Sequence, residues 1–536
     1  MSSVFTRPQL LLLGLILGLG LGLRLNVALR APWFWDEGYV VEAAQSLSHG
    51  QRPQVSGLWE DGFFPLSTSV LAPLTAAPLL ALAPAKHAML AARVWALLLQ
   101  GLAMVLLAWL GSRLRSPGLG LGAAAIYAGM SYSVAHGGRA FYHHLAVVFL
   151  LAALLEGLAL FDKERTKAGS LARASLWSGL AAAVAYWLWW LPAVWAGLLL
   201  WKRPQGWAKA LPWVALAPLA VLGLALAQDW DGAWWSLRSL AWASQVAAPQ
   251  GMLAQLKAAG ANFKGLPFLA VGLLGTVWAA WQLRGAWAWL GLLTALAVLE
   301  PIRQRGDISG ISYPFQLAAP LAALGAAWLV CQAWQARPKA WRLLAPLVLA
   351  LALWPAKTAW MNQLSFAPAP VEELAAYLDA HASHWDGLCG LPQFDWRLGQ
   401  GLRVCDPFAL GAAEGRAAGF YLAGAPASRL AWDCRLDNLR YAVVSRAHVL
   451  SVFRTQGVPL AFLEMERQGW PKVFDNGVFR LYENPRYGAQ PARGEAILAA
   501  PEFYAYAAAD AATAGRPEAA AFAQARAKAL SPTARP

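Results

Sequence analysis

Apolar runs too long for any soluble core recur along the first two thirds of the chain. Continuous stretches predict membrane-crossing helices at 9–29, 90–110, 118–134, 144–161, 174–189, 191–201, 211–227, 266–283, 286–299, 313–334 and 343–360. The two around Trp190 are short and read as a tight hairpin broken at Pro192. One more apolar segment, 65–84, carries Pro65, Pro73, Pro78 and Pro84 among Ser67, Thr68, Ser69 and Thr75, and reads as a helix lying on the membrane surface. After residue 360 the pattern changes. "YAVVSR" (441–446) and "GVFRLYENP" (477–485) alternate as strands do, and "VEELAAYLDAHA" (371–382) has helical spacing. The final fifty residues are Ala-rich and predict a helical hairpin turning at Gly515-Arg516-Pro517, similar to one tetratricopeptide unit. The organisation expected is a membrane module at 1–360, an α/β domain at 361–487 and a hairpin tail at 488–536.

Composition agrees with the pattern. Of 536 residues, 58% are hydrophobic and 13% charged, with a mean hydropathy of +0.43, and the thirty tryptophans suit a lipid–water interface. The class is a polytopic α-helical membrane protein, because only helices satisfy their backbone locally in lipid. The net charge of +14 resides in the membrane part: 26 Lys and Arg against 12 Asp and Glu in residues 1–360, but 17 against 17 in 361–536. This excess reads as positive-inside bias, and with no basic patch bearing aromatic platforms in a soluble domain it excludes nucleic-acid binding.

The same bias sets topology. Basic loops at Arg113/Arg115, Lys163/Arg165/Lys167/Arg173, Lys202/Arg203/Lys209 and Arg337/Lys339/Arg342 are expected inside. With 65–84 lying flat, this gives eleven spans, the N-terminus in, the C-terminus out, and a large first outer loop of juxtamembrane helices at 32–89. The first run lacks a small-residue cleavage site and reads as a retained span. Cys331 falls in a span. Cys389, Cys405 and Cys434 fall in the tail, match no zinc spacing, and leave open which two would pair outside the cell.

Candidate chemistry gathers on the outer side. "WFWDEGYVVEAA" (33–44) places Asp36 and Glu37 where the chain leaves the first span, with Asp36 expected at a helix N-cap, able to take a proton from a nucleophile at the membrane surface. Trp33, Trp35 and Trp59 read as interface anchors. "EPIRQRGDISGIS" (300–312) places Arg303 and Arg305 outside against the bias, as a clamp for phosphate oxygens. Glu60 and Asp61 are further loop acids. Asp36, Glu37, Glu60, Asp61 and His143 could converge on a divalent metal, although no spacing demands one.

These residues together resemble the polyprenyl-phosphate-sugar-dependent glycosyltransferases of the C superfamily, which include protein mannosyltransferases and aminoarabinose lipid A transferases. "WFWDEGYVVEAAQSL", "ARVWALLLQGLAMVLLAWLGSRL" (92–114), "SYPFQLAAPLAALGAAWL" (312–329) and "FDNGVFRLYENP" (474–485) carry the likeness in order over most of 8–485. The resemblance implies inverting transfer of a sugar from a lipid-phosphate donor to an acceptor hydroxyl on a glycan, lipid or protein, at the outer face of the inner (plasma) membrane. Asp36 would be the catalytic base, and Arg303, Arg305, Tyr313 and Arg139 would hold the donor phosphate. The chain departs from the pattern at "RAFYHH", where relatives carry an acid and this chain has His143 and His144, which stand in as polar or proton-accepting groups. It also departs at "EDGFFPL" (60–66), which has acids but no Lys. The alternative class is a transporter or flippase of a lipid-linked intermediate, expected to show broken spans in two matching halves.

Overall fold

The computed structural model describes residues 5–51, 70–161, 168–228, 251–305, 313–335, 342–355, 365–390, 394–398, 402–405, 407, 410, 435–446, 458–488 and 496–531. The first two thirds are helical: α1 (Arg7–Arg30), α2 (Trp35–Ser48), α3 (Leu71–Ala81), α4 (Ala88–Leu114), α5 (Pro117–Gly129), α6 (Ser131–Gly137), α7 (His143–Gly157), α8 (Ala168–Val184), α9 (Trp190–Lys202), α10 (Trp207–Ala210), α11 (Pro212–Gln228), α12 (Met252–Gly265), α13 (Pro267–Leu283), α14 (Ala286–Arg305), α15 (Ala319–Gln335) and α16 (Leu344–Ala352). A strand β1 (Trp33–Phe34) separates α1 from α2, and a 3-10 turn (Tyr313–Gln316) precedes α15.

Among the described residues, five helical stretches are long and apolar enough to cross a membrane: Arg7–Arg30, Ala88–Leu114, His143–Phe161, Trp207–Leu224 and Ala286–Gln304. A sixth is added if α12 and α13, bent by 105°, form one span. Pro267 accounts for the bend, since it donates no backbone hydrogen bond and disfavours helix in the residue before it. The chain is thus a multi-span helical membrane protein. Helix α3 is 11 residues long, about 16 Å, half the hydrocarbon thickness, and so too short to cross.

One apolar run breaks where the sequence pattern did not show it, and another breaks at a different position from the one expected. The run at 118–134 divides at Met130 into α5 and α6. The break near Trp190 falls after Val184, ahead of a 3-10 turn at Tyr186–Leu188, and Pro192 sits in the first turn of α9, where its missing N–H costs nothing. Small residues let the helices approach closely: a Cβ on Gly120 would collide with the Ala108 backbone, and one on Gly275 with that of Gly325.

The C-terminal region is mixed α/β. After β2 (Ser365–Phe366) and α17 (Pro368–His381) come β3 (Gly387–Cys389), α18 (Asp395–Leu398), β4 (Arg403–Cys405), β5 (Tyr441–Val444), α19 (Val458–Arg467), β6 (Lys472–Asp475) and β7 (Arg480–Glu483). The sheet order is β4-β3-β5-β7-β6, parallel from β4 to β5 and antiparallel beyond. Cys405 is disulfide-bonded. Helices α20 (Pro501–Thr513) and α21 (Pro517–Leu530) form a hairpin whose turn uses Gly515 at φ +69°. The hairpin is pinned to α19 by Glu466, whose carboxylate accepts from the Tyr504 hydroxyl (2.6 Å) and pairs with Arg526 (2.8 Å).

Two features join this region to the helices. β1 pairs antiparallel with β2, Trp33 opposite Phe366 and Phe34 opposite Ser365. Trp33, expected at the lipid interface, is instead buried, its ring 6.1 Å from that of Phe394, which also packs on Phe366.

Candidate functional site

The site is built around the first turn of α2. Phe34 is the N-cap and Glu37 the third helical residue, so the Glu37 carboxylate folds back to accept the Phe34 N–H (3.0 Å). Asp36 is therefore the second residue of the helix rather than its cap; its side chain lies outside the described residues.

Glu37, paired with Asp36 as a catalytic acid by the sequence, is fully buried and fully engaged. Arg93 of α4 grips both its oxygens, Nε to Oε1 at 2.8 Å and Nη2 to Oε2 at 2.7 Å. Arg139, in the α6–α7 connection, approaches Oε2 at 3.3 Å, and the Ala140 N–H donates to Oε1 at 2.9 Å. Burial alone would push this carboxyl's pKa up. The charge and hydrogen bonds of Arg93, then Arg139 and Ala140, reverse that and hold it below the usual range. The two arginines also tie down the end of α1: Arg93 donates to the carbonyls of Ala28, Ala31 and Pro32, and Arg139 to that of Pro32.

A second layer supports the first. The His144 Nε2 bonds the Arg139 carbonyl (2.9 Å), and its Nδ1 faces the Gln100 amide nitrogen (2.8 Å). The Gln100 oxygen already accepts from the Tyr127 hydroxyl (3.0 Å) and Arg24 Nε (3.2 Å). The Gln100 NH2 must then point at His144, so Nδ1 accepts and Nε2 carries the hydrogen. Both ring nitrogens of His144 are thus hydrogen-bonded within this network. Arg24, buried in α1, closes the chain by capping the end of α5 through the Tyr127 and Ala128 carbonyls and by donating to Ser133 Oγ (2.6 Å). His143 is buried and stacked on Tyr142, with ring centroids 4.0 Å apart. In α6, burial first and the Arg139 charge second hold the His136 imidazole well below its ordinary pKa, so it is neutral.

The phosphate-clamp residues lie on other elements. Arg303 sits near the end of α14 in a bidentate pair with Glu300 (2.7 Å on both arms), and Gln304 also donates to Glu300 (2.8 Å). The side chains of Arg305 and Tyr313, and all of Glu60 and Asp61, lie outside the described residues. Among the described residues, no three His, Cys, Asp or Glu side chains converge as a metal site. The structure thus brings Glu37, Arg139 and His144 into one network and leaves Arg303 on a separate helix. Sequence reasoning missed Arg93, Gln100 and Arg24. Their signal was polarity within apolar runs, which membrane burial permits only for a partnered group.

No protein-family model matches the chain, and no curated protein does. Solved structures match it over nearly its whole length. ArnT from Cupriavidus metallidurans, bound to undecaprenyl phosphate, matches at a TM-score of 0.58 and 13% identity, covering 90% of this chain and 99% of that one. The oligosaccharyltransferase of Archaeoglobus fulgidus in its apo form matches at 0.54 and 11%, covering 95% and 78%. The archaeal oligosaccharyltransferase AglB from the same organism, with an inhibitory peptide and a dolichol-phosphate, matches at 0.52 and 11%, covering 90% and 75%. At these identities the likeness is one of fold. The chain shares the fold of the C-superfamily glycosyltransferases that its sequence resembles.

Proposed function

We propose that this protein is a membrane glycosyltransferase that moves a sugar from a polyprenyl-phosphate donor to an acceptor hydroxyl at the outer membrane face, with inversion. The observation that carries the reading is the Glu37 network. It spends buried charge on fixing the head of α2, the turn that bears Asp36, within a fold shared with lipid-phosphate-dependent transferases. In the reaction the acceptor oxygen attacks the anomeric carbon as Asp36 takes its proton. The bond from that carbon to the phosphate oxygen breaks, and the electron pair leaves on the lipid phosphate. Arg303, Arg305 and Tyr313 balance the charge as it develops. Glu37, Arg139 and His144 position the acid-bearing turn, and Glu60, Asp61 and His143 belong to the cavity that receives acceptor or donor. The proposed topology is eleven spans with the N-terminus in and the α/β region and hairpin outside, in the plasma membrane; the disulfide at Cys405 supports an oxidising compartment for that region.

The test is Asp36→Asn in purified protein, assayed with a panel of polyprenyl-phosphate sugars and read by mass spectrometry of the product. The expected outcome is a loss of about 10²–10⁴ in rate at an unchanged melting temperature. Full activity would sink the assignment of the base. A transporter reading rests on the 105° break between α12 and α13; it predicts movement of an intact lipid-linked molecule across vesicles with no new glycosidic bond.

A further inference from the structure

The 3-10 turn Tyr313–Gln316 packs against α6, α7 and α14. Its last residue, Gln316, is 4% exposed, and among the described residues neither atom of its side-chain amide has a hydrogen-bond partner. The other buried glutamines nearby are bonded: Gln100 to Arg24, Tyr127 and His144, and Gln304 to Glu300. Residues on both sides of Gln316 along the chain, Phe315 and Leu317, are apolar and buried. An apolar side chain of the same length would fit these surroundings without the desolvation penalty that an unpaired buried amide carries. The position thus sacrifices stability for two N–H donors held ready in a dry site.

We propose that Gln316 is a binding residue for the donor, its amide N–H groups donating to an oxygen of the lipid-linked phosphate. The charge nearby has the right sign. α14, against which the turn packs, carries Arg303 near its end, and on the lipid-phosphate reading that cation and the neutral Gln316 amide serve the same anion. The turn also contacts the two helices whose connection carries Arg139, which binds Glu37 one residue from Asp36. The turn that bears Gln316 thus touches both the helices that flank Arg139 and the helix that bears Arg303. The inference rests on the lipid-phosphate reading above and adds the residue that reads the headgroup without charge.

The experiment compares the full-length protein with Gln316→Met in detergent. Each is titrated with undecaprenyl phosphate, undecaprenol and inorganic phosphate, and each is melted without ligand. The expected result is a variant that melts at or above the wild-type temperature, binds undecaprenol as before and binds undecaprenyl phosphate at least about tenfold more weakly, equivalent to about 1.4 kcal/mol. Tenfold weaker binding of inorganic phosphate as well assigns the contact to the phosphate alone, independent of the lipid. A variant that binds undecaprenyl phosphate like wild type overturns the inference alone. So does one that melts lower, because the amide would then be serving the protein's own structure. Wild-type protein that binds none of the three overturns the lipid-phosphate reading and this inference together.

Discussion

The head of α2 and the tail of α14 carry the two charges the proposed chemistry needs, and they are built in opposite ways. Glu37 receives hydrogen bonds from the Phe34 and Ala140 N–H groups and from two arginines, all out of water. Arg303 pairs with Glu300 one turn back on its own helix, its side chain 56% exposed. Long-range bonds at the first site join α1, α2, α4 and the α6–α7 connection. The Arg303–Glu300 pair at the second is local and can exchange its partner. A base must be in place before the acceptor arrives, whereas a phosphate clamp has to release its product. Rigid burial suits the first demand and an exposed i,i+3 pair the second.

The largest effect should come from breaking the buried side. Glu37→Gln keeps the shape but leaves Arg93 and Arg139 as buried charges without a counter-charge. A loss of about 3–5 kcal/mol is expected, read as a lower melting temperature in detergent, together with lost transfer. A variant that melts like wild type would show that the network is not a folding element.

Acid should act in the same direction with less force. The Glu37 carboxyl is held below its ordinary value of 4.5, so the unfolded chain binds the proton more readily than the folded one. Its stabilising contribution is complete above pH 4.5 and fades as the pH falls through the folded value. The gap in melting temperature between wild type and Glu37→Gln should therefore be constant from pH 7 to pH 5 and narrow below 4.5. A gap that widened with acid would contradict the sign.

The smallest stability effect belongs to the exposed side. Arg303→Ala should cost no more than about 1 kcal/mol while weakening binding of a polyprenyl phosphate in equilibrium titration. If it destabilised the protein as much as Glu37→Gln does, the contrast between the two regions would collapse.

Much of the helical outline could be read from the chain because lipid allows few solutions. An apolar run such as 90–110 must be a helix, and α4 is one. The strands at Tyr441–Val444 and Arg480–Glu483 were legible by alternation. The site was legible only in part. Glu37 and Arg93 are 56 positions apart, and nothing local in either stretch announces the other. Asp36 and Glu37 look equivalent side by side, yet helical geometry sends the third residue of α2 back to the N-cap backbone, which fixes Glu37 in the interior. Arg24 and Gln100 were hidden because their runs remain apolar around them. The breaks at Met130 and after Val184 leave the apolar run uninterrupted in sequence, so periodicity within one segment does not record them.

The short ribbon of β1 and β2 has a mechanical meaning. It fastens the start of the C-terminal region, at Ser365–Phe366, to the two residues that end just before α2. Phe34 is both a rung of that ribbon and the donor to Glu37. A push or tilt of the C-terminal region is therefore delivered, as by a connecting rod, to the backbone two residues from Asp36. In the proposed reaction, an acceptor seated on the C-terminal region would pull on the turn that bears the proposed base.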